Sequence, residues 1–66
     1  MEELINNFAT FCKEKGAKTY KEVRKIIFDE LWEQYKNKGA KKARVESVTD
    51  DLTESVALKM GISQDA

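Results

Sequence analysis

The chain has 66 residues, enough for one domain. It carries 12 Lys plus Arg and 12 Asp plus Glu, so its formal net charge is zero, and no overall field draws it towards nucleic acid or an anionic membrane. It has no histidine and one cysteine, which excludes an intrachain disulfide and leaves too few ligands for a tetrahedral zinc site. With 41% hydrophobic residues, 36% charged residues and no proline, the composition is typical of a helical bundle.

The first amphipathic stretch predicts a helix over about 2–15. Its apolar residues fall on a single stripe at helical spacing: Leu4, Ile5, Phe8, Phe11 and Cys12. The stretch ends at Gly16, with lysines in the last turn, and a glycine there is typical of a helix C-terminus. Cys12 lies on the stripe and has no histidine to activate it, so we expect a buried structural cysteine.

A second helix is predicted over about 20–37. Thr19 and Glu22 stand at the spacing of a capping box, in which the threonine hydroxyl and the glutamate carboxylate each accept a backbone N–H bond. The apolar arc of this helix is wide, which favours a central position in the fold or contact with a partner. Its aromatic residues Phe28, Trp32 and Tyr35 are the candidate protein-binding surface, with a role in the core as the alternative.

A third helix is predicted over about 41–60, because Val45, Val48, Leu52 and Val56 keep one helical phase. Good N-cap residues around Ser47 leave open a break there, with a shorter helix that starts near residue 50. Gly61 followed by an isoleucine predicts a Schellman stop, and we expect residues 63–66 to fray.

These elements predict an all-α fold, a small antiparallel three-helix bundle formed by a single domain over residues 1–66. The predicted core is Leu4, Ile5, Phe8, Phe11, Val23, Ile27, Leu31, Val48, Leu52 and Val56. A domain of this size buries only about 60% of the surface of its unfolded chain, so its stability is marginal. This small core and the wide apolar arc of the second helix favour a homodimer.

Two charged segments follow the second helix. We define the basic segment as Lys36, Lys38, Lys41, Lys42 and Arg44. It suits phosphate groups or an acidic protein surface, and its alternative role is a solvated turn. The acidic segment, which consists of Glu46, Asp50, Asp51 and Glu54, is expected to be an exposed helical face.

Residues 53–66 resemble the first half of a helix-turn-helix of the phage repressor type. In that family a small residue, here Ala57, precedes a turn glycine, here Gly61, by four positions, and an aliphatic residue, here Ile62, follows it. The resemblance implies a recognition helix that starts at Ser63 or Gln64 and makes the base contacts. The resemblance stops at Ala66, before such a recognition helix is complete.

The sequence therefore predicts a small cytoplasmic regulatory or adaptor protein that binds another macromolecule. A phage- or plasmid-like DNA-binding transcriptional regulator is the alternative. We expect a protein partner, with a homodimer or nucleic acid as further possibilities, and neither a membrane nor a small-molecule substrate. No nucleophile–base pair or phosphate-binding loop is present, so we expect no enzyme activity, no cofactor and no metal.

Overall fold

The computed structural model describes residues 2–63, and it confirms the all-α three-helix bundle. Helix α1 spans Glu2–Glu14, α2 spans Tyr20–Tyr35 and α3 spans Lys42–Met60. A short 3-10 turn over Lys36–Lys38 connects α2 to α3. Helix α3 packs against both other helices, whereas α1 and α2 touch each other little.

The α-helical part of the second helix ends earlier than predicted, at Tyr35 rather than at residue 37. The chain tightens into the 3-10 turn and then reverses at Gly39, which has the left-handed backbone angle φ of 81°. The Ala40 N–H donates to the Tyr35 carbonyl at 3.4 Å, which ties the turn to the end of α2.

Helix α3 is continuous, so the possible break near Ser47 was wrong. The helix begins after Lys41, whose backbone is extended. Thr49 does not cap a helix there, because its hydroxyl donates back to the Val45 carbonyl at 2.7 Å, one turn earlier. The hydrogen-bonding capacity of the Thr49 hydroxyl is thus satisfied inside α3.

The predicted capping box of α2 is confirmed. The Glu22 N–H donates to Thr19 Oγ1 at 3.2 Å, and the Thr19 N–H donates to Glu22 Oε1 at 3.2 Å. The pKa of Glu22 is lowered, mainly because the Lys18 N–H also donates to its carboxylate and further because of the Thr19 hydroxyl. These bonds set the first turn of α2.

The Schellman stop at the end of α3 is confirmed as well. The Ile62 N–H donates to the Ala57 carbonyl at 2.8 Å, and Gly61 takes the left-handed conformation with φ of 76°. Ile62 is half-buried and packs against the core. Of the tail predicted to fray, Ser63 is exposed and 64–66 lie outside the described residues.

The core contains most of the predicted residues but not all of them. Its apolar members are Phe8, Ala9, Cys12, Ala17, Val23, Ile27, Leu31, Val45, Leu52, Val56 and Ala57. The prediction was wrong for Leu4 and Val48, which are 41% and 37% exposed, and the predicted Ile5 and Phe11 are only half-buried. Thr49 and Thr53 occupy the inward face of α3 instead and are fully buried.

Across residues 2–63, no helix combines the length and the apolar character that a membrane span requires.

Candidate functional site

An apolar groove lies at one end of the bundle, where α1 begins, α2 ends and α3 begins. Its volume is about 270 Å³. Its lining consists of Leu4, Leu31, Tyr35, Ala40, Arg44, Val45, Val48 and Leu52. In the described part of the chain four large hydrophobic residues are exposed, and three of them, Leu4, Tyr35 and Val48, line this groove. Exposed apolar side chains are normally scattered singly, so their convergence marks the groove as the candidate site.

Among residues 2–63, no large side chain fills the groove. Helix α1 begins only two residues before Leu4, so it adds little apolar surface at this end. The chain that leaves α2 returns through Gly39 and contributes only the small Ala40 side chain to the wall. The floor is formed by the buried core residues Leu31, Val45 and Leu52, so a ligand in the groove would contact the core directly.

The charge that lines the groove is positive, whereas Glu2 and Glu3 precede Leu4 in the first turn of α1. Arg44 is the one charged residue among those that line the groove. All five cations of the basic segment are exposed, and Lys38 Nζ lies 5.6 Å from the centre of the Tyr35 ring. Lys36 is paired with Glu33 at 3.0 Å, whereas the other four form no ion pair with any described residue.

Of the three aromatic residues predicted as a binding surface, one lines the groove and two do not. The Phe28 and Trp32 rings stack, with centroids 6.3 Å apart and planes 7° from parallel, and both residues are half-buried against the core. Tyr35 is 42% exposed and lies in the groove, which neither of the other two lines. Phe28 borders a separate depression of about 420 Å³ together with Lys21 and Lys25.

Sequence reasoning missed Leu4 and Val48 as site residues because their helical spacing also fits a core position. The available signal was the contrast between Val48 and its neighbour Thr49. Two adjacent residues point about 100° apart on a helix, so they need not be buried to the same extent. The structure buries the threonine and leaves the valine at the rim of the groove.

The acidic segment does not form a site with the basic one. Asp50 Oδ1 accepts a bond from Arg24 Nε of α2 at 2.7 Å, and this bond raises the pKa of Arg24. Glu54 borders a different depression beside the exposed Leu58. Across residues 2–63, no three side chains of the metal-binding types are grouped to hold an ion.

Cys12 is fully buried, as predicted. Burial raises the pKa of its thiol, which keeps it protonated and poorly nucleophilic at neutral pH. The segment that resembles half of a helix-turn-helix forms the end of α3 and its glycine turn, and Gln64 and the residues after it lie outside the described part of the chain.

Comparison of the chain with protein-family models, with curated proteins and with solved structures found no match. Function is therefore inferred from the groove and from the charges around it.

Proposed function

We propose that this protein is a small regulatory or adaptor module that binds another protein through the groove. The observation that supports this proposal is the convergence of Leu4, Tyr35 and Val48 in one apolar depression. Burial of this exposed apolar surface by a partner is favourable by about 25 cal/mol per Å². Aromatic anchors at the centre of such contacts contribute most of the binding energy, and Tyr35 is placed for that role.

The groove suits binding better than catalysis. Its lining has one charged group, Arg44, and lacks the pairing of a nucleophile with a base that acyl or phosphoryl transfer requires. The free, buried Cys12 is compatible with the reducing cytoplasm in which we place the protein.

Affinity capture from native lysate tests this function with two matched variants. Val48→Glu places a carboxylate in the groove, while Leu58→Glu places one on α3 at a residue that is 81% exposed and outside the groove. We expect wild type and Leu58→Glu to retain the same protein, and Val48→Glu to lose it while its helical circular dichroism is unchanged. If Val48→Glu retains everything that wild type retains, the groove is not the binding surface.

DNA binding is a second candidate because Lys41, Lys42 and Arg44 are exposed at the start of α3 and unpaired within residues 2–63. Such cations bind phosphates with an affinity that falls steeply with salt. Nuclease treatment of the captured material and replacement of all three residues by glutamine test it. Absence of duplex binding at about 50 mM salt, where screening is weak, excludes this function.

A further inference from the structure

We propose that the partner segment is an acidic amphipathic helix of another protein. One of its apolar side chains enters the groove, and its carboxylates face Arg44 and the rest of the basic segment. This inference rests on the proposed function and specifies the chemistry of the partner.

The size and shape of the groove favour an anchoring side chain over a free small molecule. Its volume of about 270 Å³ is below the range of about 300–1,000 Å³ that is usual for small-molecule sites. The groove lies where three helix ends meet, so it is open to a segment that lies across it. A helix that binds in this way contributes apolar residues three or four positions apart, one of which fills the deepest point.

The charged residues near the groove favour a partner segment with negative charge. Within the described chain, no carboxylate lines the groove, and only Lys36 of the basic segment is neutralised by an ion pair. Arg44 lines the groove, and Lys38 lies over the ring of Tyr35. Lys41 and Lys42 follow the groove residue Ala40 along the chain, and all four cations are exposed. Carboxylates that flank the anchor would meet complementary charge, whereas lysines in the same places would be repelled.

A second copy of the chain fits the groove less well, although the sequence predicts a homodimer. Two-fold packing of groove on groove brings the same patch of both copies together. It would place two basic segments, each with five cations, against one another. The repulsion between like charges opposes that arrangement and leaves an acidic partner as the better occupant.

Two synthetic helical peptides with the same leucine pattern test the proposal. One carries glutamates beside the leucines and the other carries lysines in their place, and each is titrated into the ¹⁵N-labelled protein. At low salt we expect the acidic peptide to bind at least about tenfold more tightly, equivalent to about 1.4 kcal/mol. The amide signals of Tyr35 and Val48 should shift, and the preference should shrink at about 1 M salt, where the Debye length is about 3 Å.

Arg44→Glu should reduce the preference for the acidic peptide, whereas Lys25→Glu, a cation beside the Phe28 depression, should preserve it. Four results would overturn the inference: no binding of the acidic peptide, equal binding of both peptides, shifts confined to residues outside the groove, or sedimentation that shows a dimer which Val48→Glu dissociates. Equal binding of both peptides within the groove overturns the acidic partner but leaves the proposed function standing. The Val48→Glu capture experiment judges the proposed function separately.

Discussion

The hydroxyl of Thr53 donates to the carbonyl oxygen of Thr49 across 2.6 Å, and both side chains are fully buried. Thr49 repeats the same bond one turn earlier with Val45. Each buried hydroxyl is thus satisfied within α3 and needs no partner on α1 or α2. For this reason two polar residues can lie in the core of so small a domain without an unsatisfied donor.

Thr53→Val is expected to leave the free energy of unfolding unchanged or to raise it by up to about 1 kcal/mol, because a buried methyl replaces a hydroxyl of similar shape. The Thr49 carbonyl still accepts the helical N–H bond of residue 53, so no acceptor is orphaned. Urea denaturation measures the effect, with Thr53→Ala as the control that also removes the methyl. If Thr53→Val lowers the free energy of unfolding by more than about 1 kcal/mol, the bond from the hydroxyl to the Thr49 carbonyl is itself stabilising.

Ile27 and Val48 should respond very differently to truncation. Ile27 is fully buried, so Ile27→Ala should cost about 2–5 kcal/mol and Ile27→Val about 0.5–1.5 kcal/mol. Val48 is 37% exposed at the groove, and Val48→Ala should cost less than about 0.5 kcal/mol. Urea midpoints of the three variants provide the comparison. Equal costs for the two alanine variants would mean that the groove is closed in solution.

The Arg24–Asp50 ion pair joins α2 to α3, yet it should contribute little to stability. The atoms are 2.7 Å apart, but the side chains are 39% and 60% exposed, so solvent screens their attraction. A double-mutant cycle with Arg24→Gln and Asp50→Asn should give a coupling of about 0.2–1 kcal/mol at low salt. The coupling should shrink at about 1 M salt. A coupling that is insensitive to salt would contradict this reading.

Acidification should weaken the start of α2. The pKa of Glu22 is lowered in the folded protein, mainly by the Lys18 N–H bond, so its carboxylate stabilises the fold above the unfolded pKa of about 4.3. That contribution is lost as the pH falls through the lower folded value. We therefore expect wild type to exceed Glu22→Gln in urea midpoint at about pH 7 and to lose that advantage progressively as the pH falls below the unfolded pKa of about 4.3. A difference that stays constant with pH would show that the carboxylate charge does not matter.

The sequence by itself determined the features that depend on neighbouring residues. Thr19 and Glu22 form their capping box within four positions, and Gly61 and Ile62 close α3 onto carbonyls of its own last turn. Such bonds have the same geometry in any fold, so residue types and spacing suffice to predict them. The three-helix organisation followed from these signals.

Only the tertiary structure decided which apolar residues are covered. Leu4 and Val48 satisfy the helical spacing of a core residue, but whether they are buried depends on where the other two helices lie. Tyr35 lines the groove for the same reason, since the chain beyond α2 turns at Gly39 and brings only Ala40 to that wall. Helix periodicity specifies an angular direction on one helix, whereas burial depends on what packs in that direction.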